Sequence, residues 1–281
     1  MSDTMQRADV EMLIRLSISE DIAGGDITSL AIFKQGDTSH AAIVSKQQGV
    51  FCGSDMIRHV YEMIDSRVSV SQKANDGDII NNKETVTTIS GPTVSVLSGE
   101  RIALNFIQRM SGIATRTSNI VSLIKNTNIK LLDTRKTLPG FRILDKYAVK
   151  TGGGTNHRMG LYDMVMIKDN HIRAAGSVSR AVNMVRERYG ARYIIEVEAA
   201  NLDEVKEAAA IGADIIMLDN MDRPAMTAAV DLIDKKAKIE VSGNMNEERI
   251  KEIRDLDVDY ISMGSLTHSV TAFDLSMEIY V

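Results

Sequence analysis

Three short segments in the middle of the chain carry the densest group of basic residues: DTRKTLPG at Asp133–Gly140, GGGTNHR at Gly152–Arg158 and IKDNH at Ile167–His171. They supply Arg135, Lys136, His157, Arg158 and Lys168. Arginine grips a carboxylate or phosphate with a planar fork of donors, and lysine adds a mobile point charge. Brought to one place, these side chains would hold a ligand with several negative charges. Glu198 and Asp219 are the acidic counterpart. Two carboxylates facing a polyanion suit a magnesium ion or ribose hydroxyls, and could alternatively form an acid/base pair. Ser242–Asn244 (SGN) and Met263–Ser265 (MGS) offer backbone amides for a phosphate, and His268 could add a donor. The triple glycine Gly152–Gly154 permits a tight turn that could face an anion, or a turn and nothing more. No cluster has zinc-ligand spacing.

Something must bring these residues together. From Asn128 onward, short apolar runs recur and end at Asp133, Lys168, Glu198, Asp219, Ser242 and Gly264. The last four are spaced by 21, 23 and 22 residues (198 to 219, 219 to 242, 242 to 264), with helical segments such as LDEVKEAAAIG between them. Buried strands alternating with helices describe parallel β/α units, and such units in series close into a barrel. The active site of a barrel lies at the C-terminal ends of its strands, where these polar residues fall. Singly, each is as readily a salt-bridge partner or a helix cap; six in phase read as a catalytic rim. An open doubly wound sheet is the rival, weakened slightly by the lack of a GxGxxG turn.

The first hundred residues alternate β-branched segments with turn formers, and Thr93 to Lys125 reads as helical with a break at Gly112. The expected organisation is a small N-terminal α+β domain over 1–111 and the barrel over 112–281. The N-terminal stretch reads as an amphipathic helix with Val10, Leu13, Ile14 and Leu16 on one side. A net charge of -5 argues against a nucleic-acid partner. No run reaches the ~20 apolar residues of a membrane span. Cys52 is the only cysteine, which fits a reducing, cytoplasmic setting and reads as a buried small apolar residue.

With these residues in view, the sequence resembles the quinolinate phosphoribosyltransferase family (nicotinate-nucleotide pyrophosphorylase, carboxylating) over nearly its whole length. The marks are EDIAGGDITS at Glu20–Ser29, ERIALNFIQRMSGIAT at Glu100–Thr115, DTRKTLPGFRILDKYAVKTGGGTNHR, LYDMVMIKDNHI, IEVEA, MLDNM, EVSGN and MGSLTHS. The resemblance implies an α/β fold: an incomplete, TIM-like β/α barrel with a smaller N-terminal α+β sandwich domain. It implies transfer of phosphoribosyl from phosphoribosyl pyrophosphate to quinolinate with decarboxylation, a step of NAD biosynthesis, with Mg2+ and no organic cofactor. It also implies a homodimer whose active site is shared across the interface, with higher assembly left open. Arg101 would reach the site from the partner subunit. Quinolinate would lie among Arg101, Arg135, His157, Arg158 and Lys168. Lys136 and Lys168 would lie near the pyrophosphate, and Glu198 and Asp219 at ribose and metal. Thr134, Ser242, Gly243, Asn244, Met263, Gly264, Ser265 and His268 would complete the binding set, and Arg135, Lys136, Lys168, Glu198 and Asp219 the catalytic one. Rival readings are a related branch linked to molybdenum transport, a Schiff-base aldolase using Lys168, and a non-catalytic phosphate-binding protein.

Overall fold

The computed structural model describes residues 4–280. Along the chain the elements are α1 (Thr4–Asp21), α2 (Ile27–Ile32), β1 (Thr38–Ser45), β2 (Gly49–Val50), α3 (Ser54–Ile64), β3 (Ser69–Gln72), β4 (Ile79–Ile80), β5 (Thr85–Pro92) and α4 (Thr93–Leu123). Next come β6 (Lys130–Leu132), α5 (Arg142–Thr151), β7 (Val165–Ile167), α6 (Asp169–Ala175), α7 (Val178–Tyr189), β8 (Ile195–Ala199) and α8 (Leu202–Ile211). The last are β9 (Ile215–Asp219), α9 (Arg223–Ile233), β10 (Lys238–Ser242), α10 (Glu247–Ile253), β11 (Tyr260–Ser262), α11 (Ser265–His268) and β12 (Leu275–Tyr280). Among the described residues, no helix is long and apolar enough to cross a membrane.

Two compact units result. The first runs to Ser118 and takes in Thr137–Gly153 and the chain from Ser269 onward. Its antiparallel sheet has the order β12-β1-β5-β3. The C-terminal strand β12 lies beside β1, with Ala42 opposite Glu278 and Ser45 opposite Leu275. This compact unit is thus discontinuous in sequence, and residue 111, the expected domain boundary, lies inside α4. That helix is continuous through Gly112, where a break was expected. The glycine is there for close approach: a Cβ on it would sit 2.2 Å from the Thr271 carbonyl oxygen. On α1, Val10 and Ile14 are buried but Leu16 is 63% exposed, so the apolar stripe is narrower than its sequence suggests. Arg109 donates to both carboxylate oxygens of fully buried Asp145, at 2.8 and 2.7 Å, tying α4 to α5. Cys52 is buried, and that burial pushes its thiol well above the usual range.

The second unit spans Asn119–Lys136 and Gly154–His268. Its six strands are all parallel, in the order β6-β11-β10-β9-β8-β7. From β7 to β11 each strand pairs with the next in sequence, and the last pairs with the first. There is no switch point, so this is a barrel progression and not a doubly wound sheet. With six strands of the usual eight, it is incomplete; an isolated bridge joins Leu132 to Thr155 at the β6 edge.

Helix caps set where each strand hands over to its helix. Asn201, Asp222 and Asn246 accept the amides of Glu204, Ala225 and Arg249 at the starts of α8, α9 and α10. Within the strands, alternation sends Val197, Ile216, Leu218, Ile239, Val241 and Ile261 to one face, where all are buried. The opposite phase carries Glu196, Glu198, Met217, Asp219, Glu240, Ser242 and Ser262. The apolar face packs under helices. The polar face belongs to the barrel mouth.

Candidate active site

The mouth of the second unit holds a cavity of about 860 Å³. Its wall is built from residues after each strand: Thr134, Arg135 and Lys136 follow β6, His157 and Arg158 follow the Thr155 bridge, and Lys168 follows β7. Glu198, Asp219 and Ser242 end β8, β9 and β10; Gly243 and Asn244 follow β10, and Gly264, Ser265 and His268 follow β11. Such a volume suits two substrates of modest size held together.

Two guanidinium groups converge on one side. Arg158 donates to the Met164 carbonyl at 3.1 Å and reaches the Met166 sulfur at 3.4 Å, which fixes its direction. Burial and the neighbouring charge of Arg135 hold the Arg158 guanidinium below the usual arginine range. Like charges forced together in this way favour an anion that bridges them. Opposite in sign, Glu198 accepts from Lys168 Nζ at 2.5 Å, and Asp219 accepts from Asn220 Nδ2 at 2.9 Å. An amine held in an ion pair is a poor Schiff-base nucleophile, which speaks against the aldolase reading.

Asp133 does not line the cavity, although it was expected on the rim. It is fully buried, accepting the His157 amide at 2.9 Å and the Asn156 side-chain amide at 2.6 Å. Its work is to anchor the turn that carries His157 and Arg158.

Beneath His157 lies a pair of carboxylates that sequence reasoning missed. Its Nε2 is 3.2 Å from Glu196 and 3.5 Å from Glu240, and both glutamates are wholly buried. Their oxygens make no hydrogen bond of ordinary geometry among the described residues, so the imidazole is their nearest compensation. Burial, opposed in part by His157, pushes Glu196 upward. Burial alone would push His157 down, but the two carboxylates outweigh it and raise the ring to about 9. The Arg158 amide lies 2.7 Å from Nδ1 and donates to it in the neutral ring; a second proton displaces that bond. Since the folded value lies above the unfolded one, the resulting stabilisation is complete below about pH 6.5 and is lost as pH rises through about 9. Urea midpoints of wild type and His157→Gln are therefore expected to converge between pH 6.5 and 10. A constant gap over that range would show that the ring does not titrate there.

The other end of the cavity is shaped for close backbone approach. Gly243 has φ +95°, and a Cβ on it would meet Asn220 Oδ1 at 2.3 Å. A Cβ on Gly264 would press on Lys136 Cδ at 3.1 Å and His268 Cδ2 at 3.2 Å. Thr267 Oγ1 donates to the Lys136 carbonyl at 2.8 Å, fixing the segment that carries Lys136.

Comparison with known proteins gives this fold and cavity a family. The N-terminal and C-terminal domain models of quinolinate phosphoribosyl transferase match residues 26–111 and 113–278. The chain belongs to the quinolinate phosphoribosyltransferase family. A Bacillus subtilis protein named probable nicotinate-nucleotide pyrophosphorylase [carboxylating] is 42% identical, over 98% of this chain and 95% of that one. The crystal structure of NadC from Streptococcus pyogenes aligns with a TM-score of 0.94 at 39% identity, over 97% of both chains. A nicotinate-nucleotide pyrophosphorylase from Ehrlichia chaffeensis aligns with a TM-score of 0.93 at 35% identity, over 100% of both chains.

In this member of the quinolinate phosphoribosyltransferase family, one expected binding residue of the second unit does not line the cavity. Met263 is buried, and its amide donates to the Leu132 carbonyl at 3.0 Å, joining β11 to β6. Arg101 is exposed on α4, in the first unit. None of Gly152–Gly154 lines the cavity: Gly152 ends α5, and a Cβ on it would clash with the Ala114 carbonyl at 2.3 Å. His171 is exposed and accepts the Lys168 amide at 3.0 Å, capping α6. Met166, Met217, Asn220, Glu240, Met245, Asn246 and Ser262 join the wall without having been singled out. For Glu240 and Glu196 a signal existed. IEVSG and IEVEA place a charge inside a buried parallel strand, where an uninterrupted apolar run is usual.

Proposed function

We propose that this protein transfers the phosphoribosyl group of phosphoribosyl pyrophosphate to quinolinate and releases CO2 and pyrophosphate, giving nicotinate mononucleotide for NAD biosynthesis. The observation that carries the reading is the convergence of Arg135, Lys136, Arg158 and Lys168 on one cavity wall, with Glu198 and Asp219 on the same rim. Quinolinate brings two adjacent carboxylates, which suit the two facing guanidinium groups. Arg135, His157, Arg158 and Lys168 bind them and hold the pyridine nitrogen in line with the anomeric carbon, an effect of positioning. The nitrogen–carbon bond forms as the bond to pyrophosphate breaks, and Lys136 with Lys168 neutralises the leaving group. The ring is then a pyridinium. When the adjacent carboxylate leaves as CO2, the electron pair of the broken bond stays on the ring carbon, stabilised by the neighbouring positive nitrogen, and that carbon then takes a proton.

Glu198 and Asp219 offer hard oxygen donors, so they fit Mg2+ and not a thiolate-seeking metal. Bound there, Mg2+ would neutralise charge on the pyrophosphate. Ser242, Gly243, Asn244, Gly264, Ser265 and His268, with Thr134, would receive the 5-phosphate.

The active form is a homodimer in which Arg101 of the partner subunit completes the quinolinate pocket. Two features support this: Arg101 is exposed, and α2 presents Ile27, Leu30 and Ile32 at 83, 58 and 66% exposure, an apolar surface suited to a covering subunit. The lone buried cysteine suits a cytoplasmic setting.

The test mixes protein, Mg2+ and phosphoribosyl pyrophosphate with quinolinate or with nicotinate. CO2 and pyrophosphate are expected in equal amounts with quinolinate. Nicotinate, which leaves one guanidinium uncompensated, should support little turnover. Binding of phosphoribosyl pyrophosphate without release of pyrophosphate from any pyridine acid would instead indicate a binding protein.

A further inference from the structure

Arg249 lies outside the cavity wall, on α10, yet its guanidinium spans the two loops at the phosphate end. One terminal nitrogen donates to the Gly243 carbonyl at 3.1 Å and the other to the Met221 carbonyl at 2.5 Å. Its own amide is held by Asn246 at 2.9 Å, so the side chain starts from a fixed point. The loops it clamps are tightly turned. Asn220 and Asn244 have φ of +55° and +48°, in the left-handed region that asparagine enters more readily than most L residues. Asn244 Nδ2 donates to Asn220 Oδ1 at 3.2 Å, and the Asn220 amide donates to the Ser242 carbonyl at 3.0 Å. The two loops are therefore hydrogen-bonded directly to one another.

We infer that Arg249 is a positioning residue that turns the Asn244 amide toward the 5-phosphate of the phosphoribosyl donor. This rests on the function proposed above. No peptide bond among the described residues is cis, so the Gly243 carbonyl and the Asn244 N–H, which share one peptide plane, point in opposite directions. With Arg249 holding the carbonyl from behind, the N–H faces away from Arg249, on the side where Gly243 and Asn244 line the cavity. That amide donates to no group of the chain among the described residues, as befits a donor reserved for a ligand. Arg249 itself touches no substrate. It selects which way the peptide faces.

The experiment compares R249M and R249K with the wild type in three readouts: KM for phosphoribosyl pyrophosphate, KM for quinolinate, and calorimetric affinity for ribose 5-phosphate. R249M should raise KM for phosphoribosyl pyrophosphate about tenfold and weaken ribose 5-phosphate to a similar degree, with KM for quinolinate within about twofold. R249K can serve one of the two carbonyls and should fall between wild type and R249M. Unchanged phosphate affinities, or equal losses for both substrates in both variants, would overturn the assignment. Should R249M fail to fold, R249K alone decides: a loss confined to the phosphate readouts supports the role, and no such loss ends it. If the wild type does not turn over quinolinate, the proposed function fails, while ribose 5-phosphate affinity still judges Arg249.

Discussion

Arg158→Ala and Arg135→Ala are each expected to lower kcat/KM for quinolinate by two to three orders of magnitude, about 3–4 kcal/mol, without destabilising the free protein. The size follows from removing a charged, directional donor from a partly desolvated wall, where its carboxylate partner is then left uncompensated. The second half of the expectation is the more discriminating. In the free protein burial holds Arg158 below the arginine range, and repulsion between the two guanidinium groups adds to it. Removing either one relieves that repulsion, so the urea midpoint should stay level or rise. Active sites are often built at the expense of stability in this way. Because both arginines serve one dicarboxylate, the double variant should lose less than the sum of the two single losses. Steady-state kinetics with each substrate varied in turn, alongside urea titrations, checks both halves. A variant that unfolds more readily and loses both substrates equally would mark these arginines as structural.

His157→Leu is expected to cost about 3–5 kcal/mol of folding stability, the largest loss of any single change to the mouth. It leaves Glu196 and Glu240 facing one another in the barrel interior with their nearest cation gone. Buried charges without a partner are far more costly than the pair is worth, so the damage should be reversible by removing the charges. Adding Glu196→Gln and Glu240→Gln to His157→Leu should recover a large part of the lost stability but none of the affinity for quinolinate. A double-mutant cycle in urea measures the coupling, and the same proteins assayed for turnover separate the two effects. If His157→Leu were as stable as the wild type, the three groups would not form the interdependent cluster described here.

Much of the architecture was legible because it rests on periodicity. Recurrent apolar runs at near-constant spacing fixed the β/α repeat, and strand ends fixed which residues would meet at the mouth, since every strand of a parallel barrel points the same way. The rank of basic residues in DTRKT, TNHR and KDNH was legible for the same reason. What misled was local. Gly112 reads as a helix breaker by propensity, but its reason lies across space, at the Thr271 carbonyl. Asp133 reads as a rim residue by phase, yet the turn beside it needed an acceptor for the His157 amide, and it turned inward. The triple glycine reads equally as an anion-facing turn or a turn and nothing more, and its local sequence does not show that the Ala114 backbone lies too close to Gly152 for a side chain.

The sequence by itself determined that basic and acidic side chains gather at the C-terminal ends of parallel strands, because strand phase and residue type are properties of the chain taken in order. It could not determine that β12 joins the first sheet, that Glu196 and Glu240 close on His157, or that Arg249 braces two loops from behind. Each of those depends on the register between segments far apart in sequence, and register is settled only when packing chooses among pairings that the chain alone leaves equivalent.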